Sequence, residues 1–208
     1  YSPIIQSSGV RRIVVLSSTS RFTKADSGDA SEQALAARLS EAEAKVRAWA
    51  EDNRIEWVIL RPTLIYGFGQ DKNIAEIARF IRRFKVFPVL GRATGLRQPI
   101  FADDVAIACR SVLTAKSAAN RAYNISGGET LSYREMVSRV FAAAGRPPRL
   151  LTIPLWAFRL AVTLFRLLPR YRHWSAAMAE RMNRDMLFDH DDARRDFDFR
   201  PRRFQPDA

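Results

Sequence analysis

Three groups of side chains in this sequence have the residue types for chemistry. Ser17, Ser18 and Thr19 end the apolar run that begins at Arg12 (RIVVLSST). Arg61, Pro62 and Thr63 end the run that begins at Trp57 (WVILRPTLIYGFG). Both runs are apolar and β-branched, then stop abruptly in small, polar or glycine residues, and a helical pattern lies between them. That order predicts two parallel strands joined by a crossover helix, with their carboxyl ends opening onto a ligand crevice. Hydroxyls and a guanidinium in that place suit the polar groups of a small molecule. The third group is Asp189, His190, Asp191 and Asp192. Consecutive acids on a polar stretch read as a solvated cap, so no metal is expected. His173 and His190 are the only histidines, and both read as surface residues. Asp103 and Asp104 stand side by side at a helix start and point apart, which reads as one cap and one exposed acid.

The elements that position these groups follow from pattern. Residues 1–10 read as a helix end and a turn at Gly9, Arg12–Ser17 as a buried strand, and Arg21–Ser31 as a polar loop. Leu35, Leu39, Ala42, Val46 and Trp49 recur at helical spacing, which predicts an amphipathic helix over Glu32–Glu51 packing on the sheet. Trp57–Leu60 is the next strand, and Asp71 opens a helix carrying Ile74, Ile77, Phe80 and Ile81. Phe87–Leu90 and Gln98–Phe101 read as short strands about the turn Gly91–Gly95. Asp103 is the expected N-cap of a helix over Val105–Leu113. Ala122–Ile125 is a further strand, and Ser132 with Glu135 forms a capping box. Leu150–Pro154 reads as an edge strand. Leu155–Leu168 reads as a nearly apolar helix ended by Pro169, with a second helix over Ser175–Met186.

The chain has 208 residues, 47% of them hydrophobic, enough for one substantial domain or two small ones. Cys109, the single cysteine, sits on an apolar helical face and reads as packing, which fits a reducing compartment. No stretch is long and apolar enough for a spanning helix. The net charge of +12 favours phosphate-bearing partners. The arginines are dispersed among acids, without a zinc spacing or an aromatic RNA-binding motif, so no nucleic acid is expected.

In order and spacing these landmarks resemble the extended short-chain dehydrogenases/reductases, the NAD-dependent epimerase/dehydratase group. The resemblance covers nearly the whole chain. It is carried by Val14–Thr19, by Arg61-Pro62 through Tyr66-Gly67, and by Arg97 through Phe101 with Asp103-Asp104-Val105-Ala106. Tyr123-Asn124-Ile125 with Gly127-Gly128, and Ala193 to Pro201, complete it. The resemblance implies hydride transfer between a substrate and a bound NAD or NADP. It puts Thr19, with Ser18, at the catalytic hydroxyl, and Ser17, Arg61, Pro62 and Thr63 beside the nicotinamide. Arg97 it turns toward a substrate phosphate. The family's tyrosine, with a lysine four residues later, belongs on the helix Glu32–Glu51. With Ala42-Glu43 in register, those two positions hold Leu35 and Leu39. In the other register they hold Glu41 and Lys45. Arg38, Tyr66 and Lys24 are the substitutes this leaves, Arg38 as a nearby positive charge and the other two from loops at the strand ends.

No Gly-x-x-Gly-x-x-Gly turn occurs in the sequence, and its first residue is Tyr1. The expectation is therefore a C-terminal part of a Rossmann-like doubly wound parallel sheet plus a small α/β substrate-binding subdomain, lacking the Gly-rich N-terminal half on which the cofactor would also depend. Residues 1–70 are assigned to the nucleotide-binding remainder. Residues 71–208 are assigned mainly to the substrate-binding part and the C-terminal helices, with segments around 97–125 returning to the core. An uncovered sheet edge predicts pairing of the chain with itself or another chain. The implied function is an epimerase, dehydratase or reductase acting on a nucleotide sugar or similar phosphorylated small molecule in the cytoplasm. The alternatives are a dinucleotide- or partner-binding member of the fold without redox chemistry, and a peripheral membrane or assembly subunit. In the last, Arg159, Arg166, Arg170 and Arg172 on and after the Leu155–Leu168 helix meet lipid phosphates. Packing of that helix within the protein is the preferred reading.

Overall fold

The computed structural model describes residues 2–154, 156–158 and 181–206. In chain order the elements are α1 (Ser2–Ser7), β1 (Arg12–Leu16), α2 (Ser20–Thr23), α3 (Ala30–Asp52), β2 (Glu56–Pro62), β3 (Ile65–Tyr66) and α4 (Ile74–Phe84). Then follow β4 (Phe87–Leu90), β5 (Leu96–Arg97), β6 (Ile100–Phe101), α5 (Ala102–Thr114), β7 (Arg121–Ile125), β8 (Leu131–Ser132), α6 (Tyr133–Ala143), β9 (Leu150–Ile153) and α7 (Asp191–Phe197). Leu155 and residues 159–180 lie outside the described residues. With them go His173, most of the helix expected over Leu155–Leu168 and half of that over Ser175–Met186. Among the described residues no helix is long and apolar enough to cross a membrane.

The chain folds as two compact units. The first comprises residues 1–63, 100–127 and 188–202. Its centre is a parallel sheet in the order β1-β2-β7, with Val14 opposite Val58 and Leu60 opposite Tyr123. Alternation along the strands gives the sheet two apolar faces. On one face Ile13, Val15, Trp57, Ile59 and Ala122 pack with Trp49 and Ala50 of α3 and Ile5 of α1. On the other, α5 packs on β1 and β2, and α7 on β7. Arg12, which belongs to this second face, donates to the carbonyls of Val112 and Ala115 at the end of α5 (2.5 and 2.8 Å). Val58 and Leu60 are wholly buried.

The second unit holds residues 64–99, 128–187 and 203–208. Helices α4 and α6 pack together, β4 pairs in parallel with β9, and β5 pairs antiparallel with β8. Ser132 caps α6 by accepting from the Glu135 amide (3.1 Å). Gly95 is required by close approach, because a Cβ there would lie 2.6 Å from the Arg184 carbonyl oxygen.

Four expectations about local structure are corrected. The loop expected over Arg21–Ser31 begins with the single helical turn α2. The strand expected over Gln98–Phe101 is two two-residue strands, β5 and β6, separated by Gln98-Pro99. Helix α5 starts at Ala102 and has no side-chain cap. Asp103 is exposed, whereas Asp104 is buried and accepts from the Arg202 amide and guanidinium (3.0 and 2.9 Å). The buried stripe of α3 is Glu32, Ala36, Glu43 and Ala50. Leu35, Leu39, Val46 and Trp49 are only half-buried and Ala42 is exposed. Small alanines let the helix approach the sheet closely, and the two acids on that stripe have partners of their own.

Candidate functional site

Three strand ends in the first unit carry polar residues in one row. The register Leu16 to Leu60 and Arg61 to Asn124 sets Ser17, Arg61 and Asn124 side by side on the face covered by α3. The strands are parallel, so all three lie at carboxyl ends, the edge of such a sheet where ligands bind. Glu43 of α3 reaches this row. Its carboxylate accepts from the Ser17 hydroxyl (2.5 Å) and takes both Arg61 Nε (3.0 Å) and Arg61 Nη2 (2.6 Å), a forked pair. Arg21 of α2 donates to the same carboxylate. Burial pushes the Glu43 carboxyl up, but hydrogen bonds from Arg61 and Ser17 and the charges of Arg61 and Arg21 act more strongly. The net result lies below the ordinary glutamate value.

The hydroxyls beside the row are partly engaged. Thr19 is buried, and its hydroxyl donates to the Pro62 carbonyl (3.2 Å), which also accepts the Thr19 amide. Ser18 Oγ accepts from the Ser20 amide (3.1 Å), which leaves its own proton to donate. The Thr63 amide donates to the Ile125 carbonyl (3.0 Å), tying the end of β2 to that of β7. Phe22, 40% exposed, lies under two guanidiniums, with Arg21 at 4.9 Å and Arg61 at 5.4 Å from its ring centre.

Helix α3 presents Leu35 and Leu39 on its half-buried side, with Arg38 exposed beside them. Lys24, just past α2, lies 3.6 Å from Glu32 in the first turn of α3. His190 is corrected from a surface residue to a half-buried one. Its Nδ1 lies 2.6 Å from Ser126 Oγ, just past the end of β7. The Ser126 hydroxyl donates to the Phe188 carbonyl (2.9 Å), so His190 supplies the proton of the shared bond. Burial, then the charge of Arg194, push His190 down from the ordinary histidine value.

Two expected site residues belong to the second unit. Tyr66 is buried, its ring edge-on to Phe204 at 4.9 Å, and its hydroxyl accepts from the Gln205 amide (3.1 Å). Arg97 is 5% exposed and donates to the carbonyls of Leu96 (2.7 Å), Arg184 (2.8 Å) and Arg181. Burial pushes its guanidinium below the usual arginine value.

Sequence reasoning missed Glu43 and Arg21 as members of the site. The usable signal was an acid recurring within an apolar helical stripe, since a carboxylate there must find a cation. The site also has polar capacity to spare: Arg21 Nε and Asn124 Oδ1 are buried and, among the described residues, have no hydrogen-bond partner. An unspent donor, an unspent acceptor and the Ser18 proton fit the amide- and hydroxyl-bearing nicotinamide-ribose half of a dinucleotide.

Comparison with known proteins bears on the family and the fold. The model of the NAD dependent epimerase/dehydratase family matches residues 4–126. A UDP-glucose 4-epimerase of Vibrio cholerae is 29% identical over 167 residues, 76% of this chain and 51% of the relative. A 2-alkyl-3-oxoalkanoate reductase of Stenotrophomonas maltophilia (strain K279a) is 30% identical over 176 residues, 80% of this chain and 53% of the relative. The chain thus spans about half the length of the curated relatives it matches. Among solved structures, the UDP-glucuronic acid 4-epimerase from Bacillus cereus, in complex with UDP-glucuronic acid and NAD, has the same fold. Its TM-score is 0.70 at 17% identity, over 96% of this chain and 59% of that one.

These matches correct the expectation of a C-terminal part lacking an N-terminal half. The family match begins at residue 4, and the structural match takes in sheet and second unit together. The resemblance runs through nearly the whole chain, 96% of which is covered by the structural match. The expectation rests on an absent glycine motif together with Tyr1 as first residue, and the absence of that motif reports only on a phosphate-cradling turn, not on the sheet around it. With more than half its residues matched by the family model, the chain belongs to the NAD-dependent epimerase/dehydratase family.

Proposed function

We propose that this chain serves an NAD(P)-dependent epimerase, dehydratase or reductase acting on a nucleotide sugar or a similar phosphorylated small molecule. The observation that carries the reading is the row Ser17–Arg61–Asn124 at the carboxyl ends of the parallel strands, held under α3 by Glu43. Family membership and the sugar-nucleotide chemistry named for its relatives support the substrate class. In this reading the backbone of Arg61-Pro62-Thr63 borders the nicotinamide. Glu43 fixes the guanidinium of Arg61, and through it the end of β2. The Ser18 hydroxyl donates to a substrate oxygen, with Thr19 holding the turn against β2. Arg97, expected on the substrate-phosphate side, is spent on three backbone carbonyls and takes no part in this reading. When bound, the nicotinamide supplies the hydride acceptor and donor.

A second reading has a specific observation in its favour. Leu35 and Leu39 can neither exchange a proton nor hold a ribose hydroxyl, and the buried Tyr66 hydroxyl already accepts a backbone amide. A protein so equipped binds a dinucleotide without turning over a sugar. Calorimetric titration with NAD(H) and NADP(H), followed by turnover assays on UDP-glucose, UDP-galactose and dTDP-glucose, separates the two. Binding with turnover supports the enzyme. Binding without turnover favours the second reading, and absence of binding refutes both.

A further inference from the structure

Helix α2 and Lys24 just past it bring two cations to the face of α3 that carries Leu35 and Leu39. Glu32, Leu35, Leu39 and Glu43 follow one another at helical spacings of three and four residues, so they share one side of α3. The acids mark the two ends of that stretch and the leucines lie between. Arg21 is paired with Glu43 and Lys24 with Glu32. Helix α2 packs on α3, so the two cations bracket the leucine pair.

Charge sharpens the point. Arg61 alone satisfies Glu43 through the forked pair, whose shorter contact is 2.6 Å. Arg21 brings a second guanidinium to one carboxylate, which leaves a net positive charge at the strand ends. Its side chain is 22% exposed, so the charge is open to solvent near the strand ends, and among the described residues its Nε has no hydrogen-bond partner. A partly buried cation beyond the number needed for pairing costs desolvation unless something else completes it. Arg21 also lies over the exposed ring of Phe22, which holds the guanidinium in place.

We propose that Arg21 supplies the cationic contact to the ribose-phosphate of a bound nicotinamide nucleotide, from α2 rather than from α3. This inference rests on the dinucleotide reading above and names the residue that compensates for Leu39. Arg21 acts here as a binding residue, and the proton-transfer step is not assigned to it.

The test is calorimetry of the full chain with NADH and with NADPH, for the wild type, Arg21→Ala, Arg21→Gln and Arg21→Lys, at low and high salt, with Tm measured on each. The expected result is about a ten-fold or greater loss of affinity in Arg21→Ala. Arg21→Gln should fall equally, because it keeps a donor but not the charge, and it carries the test if the alanine variant does not fold. Arg21→Lys should recover part of the loss, and the uncharged variants should show weaker salt dependence than the wild type. If Arg21 only braces Glu43, Tm falls while affinity stays at the wild-type value, and the inference is overturned with the dinucleotide reading intact. A wild type that binds neither nucleotide overturns both.

Discussion

Replacing Glu43 by glutamine tests the centre of this account. The amide keeps the shape of the side chain and an acceptor for Ser17, but leaves Arg61 and Arg21 facing each other without a counter-charge. The Glu43 side chain is 6% exposed, Arg61 16% and Arg21 22%. Removing one member of a buried ion pair costs about 3–5 kcal/mol, and the partial exposure of Arg21 argues for the lower end, about 3 kcal/mol. For a chain of this size that is a fall in Tm of roughly 6–12 °C. The pH dependence gives an internal check. The folded carboxyl is held below the ordinary glutamate value of 4.5, so its stabilisation is present above that value and is lost as pH falls through the depressed one. Scanning calorimetry of wild type and Glu43→Gln should therefore give a constant gap in Tm near neutrality that closes below about pH 4. A gap smaller than about 2 °C at pH 7, or one that persists unchanged in acid, would refute the ion-pair reasoning.

Two further outcomes follow from buried polar groups. Tyr123 donates to Asp196 (2.8 Å), and burial first, then that carboxylate, push its phenol above the ordinary tyrosine value. Tyr123→Phe should cost about 1–2 kcal/mol in urea unfolding, and ultraviolet titration to about pH 11 should count the same number of ionising phenols in both proteins. Arg97→Ala removes donors to three backbone carbonyls and should cost about 3 kcal/mol, read as a lower Tm. A variant with unchanged Tm but weaker binding of a UDP-sugar would instead mark Arg97 as ligand-facing.

The parallel strands were legible because Val14-Val15-Leu16 and Val58-Ile59-Leu60 are apolar on both faces, although β1, expected to be buried, is only half-buried and its Leu16 is 54% exposed. The crossover helix was legible too, but its face was not. Leucines attract the eye as core residues, whereas this interface is set by Ala36 and Ala50, which admit close approach, and by Glu43, whose partners lie on β1, α2 and β2. Ion pairs across such separations leave no periodic trace; only the misfit of an acid on an apolar stripe announces them. Asp103 and Asp104 make the same point. Asp103 is the expected cap of α5, yet neither acid caps it, and it is Asp104 that Arg202, 98 residues away, draws into the interior. Helix α2 escaped notice because Ser20–Thr23 is one turn, too short for any period to register. Yet it carries Arg21, the residue on which the binding argument turns. In this chain the local sequence dictates strands and helices, while the charged groups of the site acquire their meaning only from residues the fold brings to them. Helix α3 carries no Tyr-x-x-x-Lys, so in the proposed reading the cation is sought on a neighbouring element.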